Sequence, residues 1–160
     1  MDKNVPCRKM SIFGIGPLLL ATGAAVIIAG LWLTNWHMRS YNFLPDSQLF
    51  TIIGIIWLII GLYFWLASVF KIMGFVSQGM LITTGVFSLT RNPMYCAFLI
   101  FIVPSLSLLL NAWIFLLSSA VMILVFHFAI AKEERMLEGL FGDEYRKYKA
   151  ATPRLFPKFR

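Results

Sequence analysis

The sequence predicts an all-α integral membrane protein with four transmembrane helices, the last two forming a hairpin, and a cytoplasmic interfacial C-terminal helix. Three observations predict this fold. Of the 160 residues, 59% are apolar and only 13% are charged, whereas soluble domains contain roughly 45–50% and about 25% of these classes. The apolar residues fall in three uncharged runs, residues 11–36, 47–70 and 92–131. Basic residues flank these runs instead of interrupting them.

The lengths of the uncharged runs set the number of membrane crossings. A helix crosses the hydrocarbon core with about 20 residues, so the first two runs form one helix each and the third has room for two. We expect the first helix at residues 11–33 and the second at residues 49–70. Together they form an N-terminal two-span region, residues 1–70, and residues 71–160 form a second region.

The basic residues predict which ends of these helices face the cytoplasm. With four crossings both termini lie on one side, together with all of the 14 Lys and Arg residues except Arg39. The positive-inside rule assigns that side to the cytoplasm. This topology also accounts for the net charge of +7 without a nucleic-acid partner, and we expect none.

The last uncharged run predicts the hairpin. Residues 95–110 form its first arm and residues 112–130 its second, with the polar Asn111 near the reversal. Pro93 fits the first helical turn, where its missing N–H is no loss, and Asn92 is expected to cap that turn. Pro104 is expected to kink the first arm.

Two further segments are predicted to lie at the cytoplasmic surface. Residues 71–90 are too short and too often interrupted by glycine to cross the membrane, so we expect a docked segment. Its glycines mark places where the backbone turns or approaches a neighbour closely: Gly74, Gly79 and Gly85. Beyond Ala131 apolar and charged residues alternate with helical spacing, and Gly142 interrupts this surface helix.

The hairpin brings two polar clusters together at its cytoplasmic end. Residues 90–95 enter the membrane there and residues 132–135 leave it. Ionisable side chains at such depth usually face protein or a water-filled cavity, so Arg91, Glu133 and Glu134 are candidate site residues. Each also fits a purely structural role. Arg91 would then be a topology anchor, and the two glutamates would pair with the neighbouring basic residues.

The remaining residues with reactive side chains point to no metal site. Cys7 and Cys96 are far apart and have no His or Cys neighbours at zinc spacing. His127 lies one turn inside the membrane boundary, where a packed or hydrogen-bonded histidine is a better interpretation than a base. We therefore expect no metal ion.

Four motifs, in this order, resemble the isoprenylcysteine carboxyl methyltransferase and phospholipid methyltransferase superfamily. They are Gly85-Val86-Phe87, Arg91-Asn92-Pro93-Met94-Tyr95, Glu133-Glu134 and Phe141-Gly142-Asp143-Glu144-Tyr145-Arg146-Lys147-Tyr148. The usual pattern of that superfamily is Gly-x-Tyr, Arg-His-Pro-x-Tyr, a membrane hairpin, Glu-Glu and Phe-Gly-x-x-Tyr-x-x-Tyr. This chain departs from it at Phe87 and Asn92, and has Ala129 where the prenylcysteine enzymes carry a basic residue.

The resemblance implies a methyltransferase that uses S-adenosyl-L-methionine and releases S-adenosyl-L-homocysteine. The implied acceptor is a lipophilic or membrane-delivered amine, carboxylate or thiol, so the partners are a lipid substrate and membrane lipids. Arg91 and Glu134 are implied at the reacting end, and Glu133 as the acceptor of the cofactor's ammonium. The other implied cofactor-binding residues are Gly79, Met80, Leu81, Ile82, Phe87, Asn92, Pro93, Met94 and Tyr95.

Two other classes of function fit the same residues. One is a non-catalytic membrane scaffold or lipid-binding protein, in which the polar cluster only sets the topology. The other is a membrane reductase that uses NADPH, since sterol reductases have a comparable helical build. The oligomeric state and the acceptor are left open by the sequence.

Overall fold

A computed structural model describes residues 15–33, 48–75 and 80–158 of the chain. These ranges are helical and contain no strand, which confirms the all-α prediction for them. The elements in chain order are α1 (Gly16–Leu33), α2 (Gln48–Phe75), α3 (Val86–Leu89), α4 (Pro93–Cys96), a π-helical segment (Ala97–Ile102), α5 (Val103–Leu109) and α6 (Ile114–Ala151).

Two of the described helices are long and apolar enough to cross a membrane, as judged by length and composition. They span Gln48–Gly74 and Ile114–Ala151, and two shorter apolar helices span Pro17–Trp32 and Pro93–Leu109. Large apolar side chains such as Ile59, Phe70 and Phe128 are exposed. Lipid tails are as apolar as these side chains, so the helices fit membrane association, and the count of four crossings stays a prediction.

The helices pack in two closely contacting groups. α1 lies along α6, and α2 lies against α5 and the π-helical segment. Between α1 and α6, the Ser118 hydroxyl donates a hydrogen bond of 3.1 Å to the Gly23 carbonyl. Between α2 and the π-helical segment, the rings of Phe64 and Phe101 stack with centroids 5.4 Å apart. Small residues and interhelical hydrogen bonds of this kind allow close approach of helices in lipid.

Pro104 lies in the first turn of α5, directly after the π-helical segment, and the neighbouring elements satisfy the carbonyl groups that it frees. The kink expected at Pro104 stays a prediction. Without an N–H, Pro104 cannot bond to the carbonyl of Ile100, or to that of Leu99 in a π-helical turn. The Trp57 indole N–H donates to the Ile100 carbonyl at 2.8 Å, and the Ser119 hydroxyl donates to the Leu99 carbonyl. Buried carbonyl groups without hydrogen-bond partners are costly in lipid. These two bonds therefore stabilise the irregular segment.

The chain turns between α5 and α6 at the residue that the sequence assigns to the reversal. Asn111 has a φ of 47°, a left-handed conformation that Asn adopts more readily than most residues. The N–H of Ala112 bonds to the Ser107 carbonyl at 3.0 Å, which closes the turn. α6 then packs against α5 and the π-helical segment.

Of the three glycine expectations for residues 71–90, one is met, one is wrong and one lies outside the described residues. Gly85 has a φ of 67°, so it supplies the predicted turn before α3. Gly74 lies inside α2, which extends to Phe75, because no helix-breaking residue follows Phe70 directly. Gly79 is not among the described residues.

The predicted continuation of the last helix beyond Ala131 is confirmed. α6 extends through the charged residues to Ala151, with one break at Gly142, whose φ and ψ are 53° and −126°. A φ in this range favours glycine. This break separates residues 143–151 from the rest of α6, which already carries charged side chains from Lys132 onward.

The chain after α6 crosses the segment that leads into α4, and we call residues 152–158 the C-terminal strap. Two backbone bonds hold it, from the Arg91 N–H to the Pro153 carbonyl at 2.8 Å and from the Lys158 N–H to the Leu89 carbonyl at 3.0 Å. The side-chain amide of Asn92 donates to the carbonyl of Arg154 at 2.8 Å. Asn92 occupies the N-cap position of α4 but makes no capping bond, so the predicted cap is wrong because the strap takes this side chain.

The close packing of α2 on the π-helical segment predicts a stability difference between two glycines. A Cβ at Gly61 would lie 2.8 Å from the Cβ of Phe101 and 2.8 Å from Cγ1 of Ile102, whereas at Gly74 nothing lies within 4 Å. Overpacking costs about 1–3 kcal/mol, so Gly61→Ala should lower the melting temperature of the detergent-solubilised protein. Gly74→Ala, the matched control, should leave the melting temperature unchanged or raise it slightly, and equal values for the two variants would contradict this packing.

Candidate functional site

The contact between α4 and α6 brings together two of the residues that the motifs single out. The Tyr95 hydroxyl lies 3.3 Å from Oε1 and 3.5 Å from Oε2 of Glu133. The backbone N–H of Ile15, directly before α1, donates to Glu133 Oε1 at 2.6 Å and to the Tyr95 hydroxyl at 3.2 Å. The Glu133 carboxylate is thus bonded by one phenol and one backbone N–H.

Helix geometry and ring packing explain why Tyr95 reaches this carboxylate. Phe126 and Glu133 are seven residues apart on α6, so they share one face of the helix. The Tyr95 ring packs on Phe126 with centroids 5.5 Å apart, and its hydroxyl points on to Glu133. Apolar packing therefore places the ring, and the hydrogen bond fixes its polar end.

The next residue along α6 belongs to a second, separate cluster. Successive helical residues point about 100° apart, and Glu134 faces the C-terminal strap instead of Tyr95. Its carboxylate accepts two bonds from Arg154, at 3.0 Å from Nε and 2.7 Å from Nη2. Nη1 of Arg91 lies 3.0 Å from Glu134 Oε1. One carboxylate therefore joins α6, the strap and the residue before Asn92.

The Glu134 cluster is dry and carries an excess of one positive charge. The side chains of Glu134 and Arg91 are only 4% and 9% exposed, and Arg91 Nε makes no hydrogen bond within the described part of the chain. Burial raises the pKa of the adjacent Tyr145, Glu134 raises it further and Arg91 opposes the shift. The phenol therefore stays neutral, and two guanidinium groups face one carboxylate.

The other residues implied by the resemblance are distributed around these clusters. Pro93 is buried, Phe87 packs against the apolar core, and Met80 is exposed. The Phe87 carbonyl accepts a bond of 2.6 Å from the Tyr148 hydroxyl, so two of the motifs are in contact. Three further residues implied by the resemblance are half-buried: Leu81, Ile82 and Met94. Gly79 lies outside the described residues.

Two partners in the site were missed by the sequence reasoning. The sequence marks Arg154 only as one of the basic residues that set the topology. It lies in a strap that follows the last helix, where no periodic pattern indicates a contact. Ile15 acts through its backbone N–H, which no residue type signals. Each is brought to its carboxylate by packing between elements distant in the chain.

The Glu133 cluster has the chemistry to bind a cation that donates hydrogen bonds. A carboxylate accepts such bonds strongly when one partner is charged, and the ring face of Tyr95, whose hydroxyl contacts the carboxylate, suits a positive charge. No group of three or more His, Cys, Asp or Glu side chains that could hold a metal ion occurs in the described ranges.

Removing the Glu134 carboxylate is predicted to destabilise the protein strongly. In Glu134→Ala the two guanidinium groups would remain close together in a dry site, and breaking a buried pair on one side costs about 3–5 kcal/mol. We expect a large drop in melting temperature and faster proteolysis of the C-terminal strap.

Glu138→Ala is the matched control for that variant. Glu138 pairs with Arg146 and Lys149 at the surface, and the hydrogen bonds from these partners lower the pKa of its carboxyl. Exposed pairs contribute little to stability, so the control should melt close to the wild type. Equal melting temperatures for the two variants would show that Glu134 does not hold the strap.

Comparison with protein families confirms the resemblance seen in the motifs. The chain matches the phospholipid methyltransferase family over residues 48–144, which is more than half of its length and includes α2 to α5 and most of α6. A comparison with curated proteins gave no match. The matched region contains Arg91, Tyr95 and the Glu133-Glu134 pair. The chain therefore belongs to the phospholipid methyltransferase family.

Proposed function

We propose that the protein is an integral membrane methyltransferase that uses S-adenosyl-L-methionine and acts on a lipophilic or membrane-delivered acceptor. The acceptor is an amine, a carboxylate or a thiol. The observation that carries this proposal is the contact of Tyr95 with Glu133 in a chain of a methyltransferase family. This contact joins the Arg91–Tyr95 motif to the Glu133-Glu134 motif, and the resemblance assigns residues of both motifs to cofactor binding.

The donor set around Glu133 fits the amino-acid end of this cofactor. The Ile15 N–H, 2.6 Å from Glu133 Oε1, shows that the carboxylate accepts a strong bond from a nitrogen at this place. An ammonium group would donate in the same way, with Tyr95 and Phe126 offering ring faces to the positive sulfur. By resemblance, Phe87 and the residues around Met80 would form the wall against the adenosine. The backbone around Asn92–Tyr95 would offer N–H groups to the cofactor's polar atoms.

S-adenosyl-L-methionine supplies an activated methyl group, so the residues of this chain mainly bind and align. Holding two reactants in the productive orientation accounts for much of the rate of such a transfer. Arg91 and Glu134 are best seen as positioning residues. Their ion pair holds the segment that leads into α4, and α4 carries Tyr95. The apolar surroundings exclude water from the reacting atoms.

The proposed topology has four crossings, with α4 to α5 and α6 as the two arms of the hairpin and both termini in the cytoplasm. The two long and two shorter apolar helices support this count. The N-terminal region, residues 1–70, would contribute two crossings and residues 71–160 the cofactor site. In this arrangement Glu133 lies at the cytoplasmic end of α6, where the cofactor is available.

One contact favours the scaffold interpretation as a second candidate. The Ile15 N–H is among the N–H groups at the start of α1 that lack a helical partner, and Glu133 satisfies it. In a scaffold, this would be the whole role of the carboxylate. The two functions differ in what they predict for a variant that keeps the hydrogen-bond acceptor and removes the charge.

Cofactor binding by the Glu133 variants tests the proposed function. Titration calorimetry of the purified protein should show binding of S-adenosyl-L-homocysteine. Hydrogen bonds to charged groups contribute about 1.5–3 kcal/mol, so Glu133→Gln should weaken binding by about 10- to 100-fold. Glu133→Ala should bind still more weakly.

The surface variant Glu138→Ala serves as the control and should bind like the wild type. Far-ultraviolet circular dichroism should show that all variants remain helical. If the wild type binds neither S-adenosyl-L-methionine nor S-adenosyl-L-homocysteine, the proposal fails. If Glu133→Gln binds as tightly as the wild type, the carboxylate is only a helix cap.

A further inference from the structure

A cavity of about 370 Å³ lies between the uncharged part of α6 and the C-terminal strap. This volume falls within the range of small-molecule sites. The side chains that line it are mostly apolar, with two polar ones among them: Ile123, Phe126, His127, Arg154, Leu155 and Phe156. An apolar chain with a polar head fits such a lining.

The cavity adjoins the proposed cofactor site through one shared ring. Phe126 lines the cavity and also packs on Tyr95, with ring centroids 5.5 Å apart. His127 precedes Glu133 by six residues, which places it about 9 Å away along a helix at 1.5 Å per residue and about 120° around it, while Phe126 lies on the face of Glu133. The aminopropyl chain that separates the ammonium from the sulfonium of the cofactor would cover part of this distance.

His127 is the one side chain lining the cavity that can accept a proton. Arg154 is permanently protonated and has no acceptor, and its guanidinium is bonded to Glu134. Asn92 stands where the superfamily pattern has a titratable histidine, and its amide is bonded to the strap. His127 itself is exposed, and its ring lies edge-on to that of Phe128 with centroids 5.7 Å apart. No hydrogen bond to a described residue occupies its ring nitrogens.

We propose that this cavity receives the methyl acceptor and that His127 takes the proton the acceptor loses. The acceptor is then an amine or a thiol on an apolar chain. A carboxylate is already ionised at neutral pH and needs no base. This inference rests on the proposed function and narrows its acceptor class.

The atoms of the step balance without a further reagent. The nitrogen or sulfur of the acceptor forms a bond to the methyl carbon, and the carbon–sulfur bond of the donor breaks with its electron pair left on sulfur. The proton that masks the attacking lone pair, one N–H proton of an alkylammonium or the S–H proton of a thiol, moves to the unprotonated ring nitrogen of His127. The products are the methylated acceptor, S-adenosyl-L-homocysteine and an imidazolium.

Acceptors with one tail and different heads test the role of His127. Decylamine, decanethiol and decanoate are offered to the full-length protein with a methyl-labelled donor. General bases contribute typically 10²–10⁴-fold, so His127→Gln should lower kcat for the amine or the thiol by at least about 100-fold. KM and S-adenosyl-L-homocysteine affinity should stay near the wild-type values, and added imidazole should restore part of the activity of His127→Gly.

His37→Gln changes the chain's other histidine and should leave kcat unchanged. Wild-type rates in His127→Gln, or decanoate as the preferred acceptor, would overturn the inference. Both outcomes leave cofactor binding intact, so they are distinct from failure of the proposed function, in which the wild type binds no cofactor.

A second measurement does not depend on turnover. Diethyl pyrocarbonate acylates accessible histidine rings, and mass spectrometry of the peptides reports the extent at each ring. Decyl methyl sulfide, the product expected from decanethiol, should lower the acylation of His127 at least about fivefold, on the order of a 1 kcal/mol preference for the occupied cavity. It should leave His37 unchanged. Equal acylation of His127 with and without the sulfide would overturn the cavity assignment.

Discussion

The buried carboxylate of Glu134 is the interaction on which the site depends. It lies between the guanidinium groups of Arg91 and Arg154 and so joins α6, the segment leading into α4 and the C-terminal strap. A charge taken out of water is costly unless it is paired and hydrogen-bonded. Two arginines offset that cost here, and they fix the position of each segment relative to the others.

Two adjacent glutamates on one helix make different contacts because their side chains point in different directions. Glu133 faces Tyr95 and the start of α1, where it is half-buried and bonded by a phenol and an N–H. Glu134 faces the strap and is almost fully buried. In the proposed function the first binds the cationic group of the cofactor. The second holds the strap, which forms one wall of the cavity beside His127.

Several local features were predictable because they follow from single residue types. Pro93 begins α4, Gly85 and Gly142 have positive φ, and Asn111 turns the chain before α6. The pairing of Tyr95 with Glu133 followed from the motif order around an expected hairpin. Gly74 was predicted wrongly because α2 continues through it, and the cap at Asn92 was predicted wrongly because the strap binds that side chain.

The sequence by itself determined the helical class, the apolar helices, the family motifs and the approach of the two polar clusters, because each follows from composition or from spacing along the chain. Only the tertiary structure decided that Arg154 completes the Glu134 cluster, that the Ile15 N–H reaches Glu133, and that the strap and His127 line one cavity. These contacts join residues distant in sequence. Their geometry depends on how the helices pack, and no local pattern records that packing.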